Sequence, residues 1–208
     1  MQQALTAKLE TQSLSCIRDD RVLFENLGFS VDPGQVLLLE GENGTGKTSL
    51  LRILCGFREP DTGTVMWCGE AIEQSRYFTD MAYVGHMDGI KKELTVLENL
   101  KLSLALGQLG KLTLAQALNK VKLSGYDDTL VQALSAGQKR RLSLARLLIT
   151  HNVLWILDEP FTSLDKQGIQ LIESIMVEHC AQGGMIVMTS HHEVNLHGVE
   201  IKRIRLMR

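Results

Sequence analysis

Apolar residues in the first forty positions of the chain recur in short blocks that are typical of β-strands. We predict strands within residues 5–40, interrupted by polar turns at residues 18–21 and 32–34. The last of these strands, residues 36–39, is a continuous run of valine and leucine. Such a run is typical of a strand that is buried on both faces of a sheet.

Helical spacing of the apolar residues becomes frequent after this strand. A helix is predicted from Lys47 to about Leu54, ended by Gly56, and residues 92–134 carry leucines that predict a small inserted helical subdomain. The remaining elements are strands at 64–67, 81–84, 153–157 and 185–188 and helices at 137–149 and about 166–179. The alternation of helices with apolar strands implies a layered and largely parallel sheet.

The composition is that of an ordinary globular protein. The 208 residues fit one domain, which should bury roughly 70% of its unfolded surface. With 22% charged residues and a net charge of -2, neither disorder nor a nucleic-acid partner is expected. The four cysteines stand far apart without metal-ligand spacing, which is typical of reduced thiols in a cytosolic protein.

The chain shows no pattern of a membrane-spanning segment. No apolar stretch approaches the 18 or so residues that cross a bilayer, and residues 1–10 lack the layout of a signal peptide. We therefore expect that any work on a membrane depends on a partner that spans it. The basic tail, Lys202, Arg203, Arg205 and Arg208, could attract anionic lipid or could simply be a terminal strand.

A phosphate-binding loop is predicted between the apolar strand and the helix that starts at Lys47. Its residues are Gly41, Glu42, Asn43, Gly44, Thr45, Gly46, Lys47, Thr48 and Ser49. The glycines allow successive backbone N–H groups to point at phosphate oxygens, in front of a helix N-terminus. Lys47 is suited to the β- and γ-phosphates of a nucleoside triphosphate, and the Thr48 hydroxyl is suited to Mg²⁺. The alternative is a glycine-rich turn that matches the pattern by chance.

Two acidic residues, Asp158 and Glu159, end the most apolar strand in the chain. The carboxyl ends of strands form the edge where open α/β sheets bind ligands. The pair is therefore a candidate for chemistry on the bound nucleotide. The alternative is that both acids only mark the exit of the strand into solvent.

The run Leu134-Ser135-Ala136-Gly137-Gln138 precedes a predicted helix. Ser135 can cap that helix, and the small residues after it leave N–H groups free, so the run is a candidate for a second anion site. The alternative is an ordinary capped helix. A basic cluster follows and is interpreted as a solvated face without a site; it consists of Lys139, Arg140, Arg141 and Arg146.

The order of loop, serine-capped run and acidic pair resembles the ATP-binding-cassette ATPases. The resemblance implies a single cassette domain over residues 1–208, in which residues 92–134 are the inserted helical subdomain. The expected fold class is α/β, with a phosphate-loop NTPase core, a mostly parallel layered sheet and an N-terminal antiparallel β subdomain. The expected activity is ATP hydrolysis by a homodimer, with ATP and Mg²⁺ bound between two head-to-tail subunits.

The same resemblance implies roles for individual residues. Asp158 and Thr48 would hold Mg²⁺, Glu159 would orient or deprotonate the attacking water, and Lys47 would bind phosphate. Ser135, Gly137 and Gln138 would meet the γ-phosphate held by the other subunit. His191 would sense that phosphate, with His192 as the alternative, and Asp165 would contact the partner across the dimer.

Two positions depart from the family pattern. Arg18 or Ile17 stands where an aromatic residue usually stacks on adenine; Arg18 could stack its guanidinium on the base or could only decorate a turn. His86 replaces the usual glutamine that contacts the metal. Imidazole is a poor direct ligand for Mg²⁺, so His86 is expected to affect coupling to a membrane subunit more than chemistry.

Several features resemble one subfamily, the ATP-binding subunit of the bacterial cytochrome c maturation system. They are the small size, Gly85-His86, the segments 89–95 and 97–100, and the alanine at 136. The resemblance implies a peripheral protein on the cytoplasmic face of the inner membrane, bound to integral membrane subunits through the helical subdomain and the His86 loop. ATP would drive haem export or release of a haem chaperone, and no direct haem binding is expected. A cassette exporter ATPase for another cargo, a soluble cassette ATPase and a phosphate-loop kinase are the alternatives.

Overall fold

The structure is a computed structural model that describes residues 7–207. Residues 1–6 and 208 lie outside the described part. The start of the predicted strand region at residues 5 and 6, part of the segment 1–10 and Arg208 therefore fall outside it. Within residues 7–207 the chain forms two sheets, and helices cover both faces of the second.

The first sheet is antiparallel and comes mostly from the N-terminal residues. Its strands are β1 (Leu9–Arg18), β2 (Arg21–Val31), β4 (Thr62–Trp67) and β5 (Glu70–Ala71), in the order β2-β1-β4-β5. The hairpin between β1 and β2 turns at Asp19 and Asp20, which both have positive φ, 51° and 58°. Two such residues match the right-handed twist of the flanking strands. The predicted antiparallel β subdomain is present.

The second sheet is parallel between every pair of neighbouring strands. It contains β3 (Gln35–Glu40), β6 (Met81–Val84), β7 (Leu154–Leu157), β8 (Met185–Thr189) and β9 (Glu200–Arg205), in the order β6-β7-β8-β3-β9. Since β3, β8 and β7 are neighbours, the loops after them meet at one edge of the sheet. Lys202, Arg203 and Arg205 of the basic tail lie in the edge strand β9, as expected if the tail is a terminal strand.

The helices are α1 (Lys47–Leu54), α2 (Tyr77–Asp80), α3 (Val96–Leu106), α4 (Leu114–Lys120), α5 (Ala136–Ile149) and α6 (Lys166–Ala181). Three of them start with a capping box, in which a Thr or Ser and a Glu or Gln three residues later satisfy each other's backbone N–H groups. The boxes begin at Thr95, Thr113 and Ser135. Residues 92–134 hold α3, α4 and a 3₁₀ turn at Val131–Ala133.

The parallel sheet separates two hydrophobic clusters. Val36 and Leu38 of β3 pack with helices α3 to α6 on one face. Leu37 and Leu39 pack with α1 and the antiparallel sheet on the other face. Successive strand residues point to opposite faces, so a strand covered on both sides needs apolar residues at every position. No helix within residues 7–207 is both long and apolar enough to cross a membrane.

Candidate functional site

A cleft of about 930 Å³ opens at the carboxyl edge of the parallel sheet. That volume suits a nucleotide-sized ligand. The predicted site residues that line it are Arg18, Asn43, Gly44, Gly46, Lys47, Thr48, Ser49, His86, Asp158, Glu159, His191 and His192. Gly41, Glu42 and Thr45 belong to the same loop but line smaller depressions beside the cleft. Ser135, Gly137 and Gln138 do not line it.

The loop between β3 and α1 is held in a conformation that depends on glycine. Gly41 has φ of 145°, and a Cβ atom there would lie 2.6 Å from the carbonyl oxygen of Leu206 and 2.7 Å from Thr45 Oγ1. A side chain at residue 41 would therefore displace the end of the chain from the loop. The Thr45 hydroxyl donates to the Glu42 carbonyl at 2.9 Å and closes the loop on itself.

Lys47 is the first residue of α1 and only 8% exposed. Its ammonium group donates to the carbonyl oxygens of Gly41 at 2.6 Å and Glu42 at 3.1 Å. The cation and the positive end of the α1 dipole therefore act at the same place, beside the cleft. This arrangement favours an anionic group with several oxygens, such as a triphosphate.

Asp158 is buried at the end of β7 and is held by two hydroxyl groups. The Thr189 Oγ1 hydroxyl donates to Asp158 Oδ1 at 2.7 Å, and the Thr48 hydroxyl lies 3.4 Å from Oδ2. The same Thr189 oxygen accepts from the backbone N–H of Glu159 at 3.0 Å. Sequence reasoning did not identify Thr189. The sequence feature that could have indicated Thr189 is its position as the polar residue that ends the apolar strand β8, the neighbour of β7.

Glu159 turns its carboxylate toward His191. The His191 backbone N–H donates to Glu159 Oε2 at 3.0 Å, and His191 Nε2 lies 3.5 Å from Oε1. The ring of His192 instead lies edge-on to Phe161, with 6.5 Å between ring centroids, and its backbone N–H donates to Ser190. Of the two adjacent histidines, the structure places His191 beside the acid.

The serine-capped run begins α5 and does not line the cleft of the same chain. Ser135 accepts from the Gln138 N–H at 3.2 Å, and the Gln138 side chain accepts from the Ser135 N–H at 2.8 Å. A Cβ atom on Gly137 would lie 2.9 Å from the carbonyl oxygen of Ser163. The start of α5 therefore packs directly on the loop that follows the acidic pair, and only glycine fits without a shift.

The interpretation of the basic cluster as a solvated face is wrong. Arg140 is only 3% exposed, and its guanidinium is hydrogen-bonded to backbone carbonyls in the segments that follow β6 and β7. Arg141 donates to the carbonyls of Val121 and Lys122, and Arg146 donates to Ser103 and Gly89. The cluster was misassigned because charge alone does not reveal that carbonyl groups from distant segments converge on one helix.

Known proteins resemble this chain both in sequence and in fold. The family model described as "ABC transporter" matches residues 24–162. The "Cytochrome c biogenesis ATP-binding export protein CcmA" of Methylococcus capsulatus is 49% identical over 196 residues, which is 92% of this chain and 95% of that protein. The protein of the same name from Vibrio vulnificus (strain YJ016) is 45% identical over 202 residues, 95% of this chain and 98% of that protein.

The chain belongs to the ABC transporter family. As a member of this family it is an ATP-binding subunit with ATPase activity, as its sequence motifs implied. A solved structure, a putative ABC transporter ATP-binding protein from Pyrococcus furiosus, agrees in fold with a TM-score of 0.82 and 25% identity. The similarity covers 96% of this chain and 97% of that one. The predicted α/β fold class is confirmed.

The two positions at which the sequence departs from the expected pattern, Arg18 and His86, both line the cleft. Arg18 lies at the rim of the cleft and pairs with Asp19 at 3.4 Å, whereas Ile17 does not line the cleft. Arg21 and Leu23 also line this rim, and sequence reasoning missed both. His86 is exposed just after the end of β6 and also lines the cleft. Among residues 7–207, no Phe, Tyr or Trp side chain lines the cleft for a base to stack on.

Proposed function

We propose that two copies of this chain hydrolyse ATP at shared sites and thereby drive a membrane-bound export complex of cytochrome c biogenesis. The observation that carries the proposal is the contact between Glu159 and His191 at the mouth of the phosphate loop. An acid fixed beside a phosphate-binding loop can act on a water that attacks the γ-phosphate. The names of the relatives support the cytochrome c assignment.

In this proposal each part of the cleft has one role. The loop N–H groups and Lys47 hold the phosphates, and Glu159 accepts a proton from the attacking water or orients it. His191, held by the same carboxylate, donates toward the γ-phosphate. Lys47 and the α1 N-terminus neutralise charge as the terminal phosphate leaves.

A magnesium ion fits beside the phosphate loop. Thr48 and Asp158 present hard oxygen donors on the same side of the cleft, with Thr48 Oγ1 3.4 Å from Asp158 Oδ2. Among residues 7–207 no three His, Cys, Asp or Glu side chains are grouped to hold a metal, so phosphate and water would complete the ligand shell. When bound, Mg²⁺ would neutralise charge on the β- and γ-phosphates. His86 stays a candidate for contact through water.

The dimer is proposed because the serine-capped run, which is expected to contact the γ-phosphate, does not line the cleft of its own subunit. Ser135, Gly137 and Gln138 lie away from the cleft, at the N-terminus of α5, where N–H groups favour an anion. In a head-to-tail dimer they would reach the γ-phosphate held by the partner. Asp165, which caps α6 through Gly168, would lie near the same boundary.

The membrane partner is proposed to dock between the helical subdomain and the parallel sheet. A groove of about 410 Å³ lies there, bounded by α3, α5 and β6. Phe78 and Leu106 line it and are 52% and 82% exposed. Apolar side chains exposed together mark an interaction surface. We also propose that residues 1–208 form a single cassette domain in which residues 92–134 are the inserted helical subdomain. The protein would lie at the cytoplasmic face of the inner membrane.

Two experiments test the proposal. Mixing a Lys47→Ala subunit with a Ser135→Arg subunit should restore one intact site per dimer and recover part of the ATPase rate. Full activity of either variant alone would contradict the shared site. Purification from native membranes should recover haem-handling membrane subunits; recovery of an unrelated permease would instead assign the chain to export of another cargo, and recovery of no membrane protein would favour a soluble ATPase.

A further inference from the structure

Arg140 lies at the centre of the segments that build the cleft. Its guanidinium donates to the backbone carbonyls of three consecutive residues after β7: Asp158 at 2.8 Å, Glu159 at 2.8 Å and Pro160 at 3.1 Å. On its other side it donates to the Gly85 carbonyl at 2.9 Å and to Asp88 Oδ1 at 3.2 Å. A guanidinium has five N–H donors, and these five bonds engage all of them.

The turn that Arg140 holds is a strained one. Glu159 has φ of 51°, in the left-handed region that side chains other than glycine rarely adopt. Such a conformation persists only where the surroundings determine it. Arg140 binds the Glu159 carbonyl, while Thr189 accepts from the Glu159 N–H at 3.0 Å. The two contacts fix both peptide groups of this residue and hence the direction of its side chain.

The same guanidinium also fixes the segment that carries His86. Gly85 and Asp88 flank His86 and Met87, and both bind Arg140. The segment that carries His86 is therefore tied to the turn at Glu159 through one planar group. Because the fork of arginine is rigid, a lysine cannot reproduce this set of contacts.

We propose that Arg140 is a positioning residue that holds the Glu159 carboxylate in its working orientation and in register with the His86 segment. Arg140 does not line the cleft; it acts through the backbone of the turn. This inference rests on the proposed catalytic role of Glu159.

The test uses Arg140→Gln and Arg140→Lys in the full-length chain, with ATPase rates, nucleotide affinity and thermal unfolding measured for each. A small misplacement of a reacting group costs roughly 100-fold in rate. We expect kcat to fall roughly 10- to 100-fold in both variants, with KM for MgATP within about threefold of the wild type. KM should change little because Arg140 donates no hydrogen bond to the phosphate loop, which holds the phosphates of the nucleotide.

Arg141→Gln is the matched control. Arg141 is the next residue of α5 and donates to the carbonyls of Val121 and Lys122, away from the cleft. Arg141→Gln removes the same charge as Arg140→Gln, so a general effect of charge or stability on the ATPase rate would appear in both variants. We expect its kcat to stay within about threefold of the wild type.

A double variant separates positioning from stability. When two residues act together in one step, the losses of rate caused by replacing each of them are strongly non-additive in the double variant. In single-turnover hydrolysis, Arg140→Lys should therefore lower the rate when it is introduced into the wild-type chain. It should change the rate little when it is introduced into the Glu159→Gln variant. An equal slowing in both backgrounds, an unchanged kcat in Arg140→Lys, or failure of Arg140→Lys to fold would overturn the inference. If Glu159→Gln itself keeps the wild-type rate, the proposed function fails first.

Discussion

The buried Thr189 hydroxyl offers the sharpest test of how the acidic pair is held. Thr189→Val replaces this fully buried hydroxyl with a methyl group of similar size. Two contacts disappear: the donation to Asp158 Oδ1 at 2.7 Å and the acceptance from the Glu159 N–H at 3.0 Å. The chain backbone and the volume of the site stay unchanged, so any effect comes from the lost hydrogen bonds.

The expected loss of stability and activity in Thr189→Val follows from the type of each lost hydrogen bond. A hydrogen bond to a charged group contributes about 1.5–3 kcal/mol, and a neutral one about 0.5–1.5 kcal/mol. The free energy of unfolding should therefore fall by roughly 2–4 kcal/mol. If the bond to Asp158 serves the transition state, its loss lowers kcat roughly 10- to 150-fold, at about 1.4 kcal/mol per tenfold.

The assay combines denaturant unfolding with steady-state ATP hydrolysis over a range of Mg²⁺ concentrations. Thr64→Val, an exposed position on β4, is the matched control and should stay within about 0.5 kcal/mol of the wild type. The reasoning is refuted if Thr189→Val unfolds at the wild-type denaturant concentration and hydrolyses ATP within about threefold of the wild-type rate.

Three further predictions concern other parts of the site and the fold. Glu159→Gln should bind ATP, hydrolyse it roughly 10²- to 10⁴-fold more slowly and accumulate as a nucleotide-bound dimer, as size-exclusion chromatography with ATP would detect; a wild-type rate would remove Glu159 from the chemistry. Gly137→Ala places a Cβ atom 2.9 Å from the Ser163 carbonyl, so the start of α5 must shift and dimer-dependent ATPase activity should fall, whereas Ala136→Gly should not lower it. Burial lowers the pKa of His179, which stacks on Trp155 with 3.7 Å between ring centroids, from 6.5 to about 4. As the pH falls, His179 is therefore protonated in the unfolded chain before it is protonated in the folded protein. The free energy of unfolding should fall by up to about 3 kcal/mol as the pH drops from 6.5 to 4. His179→Phe should reduce that dependence, and an identical pH profile for both proteins would contradict it.

The motifs of the site could be predicted from the sequence because each depends on groups that are close together in the chain. The phosphate loop needs a strand, glycines and a helix N-terminus in succession, and the structure starts α1 at the predicted Lys47. Ser135 and Gln138 cap α5 within four residues. The continuous apolar run in β3 indicated burial on both faces, and each face packs in a separate cluster.

Contacts between distant segments needed the tertiary structure. Thr189 meets Asp158 across 31 positions, and Arg140 reaches Gly85 across 55. The hydrophobic pattern does not specify such contacts, because it determines which face of an element is buried but not which carbonyl or hydroxyl lies opposite a polar group. For the same reason the acidic pair could be predicted as a candidate site, whereas Arg140 was misread as solvated. Only the tertiary structure shows that its guanidinium contacts the turn at Asp158 and Glu159.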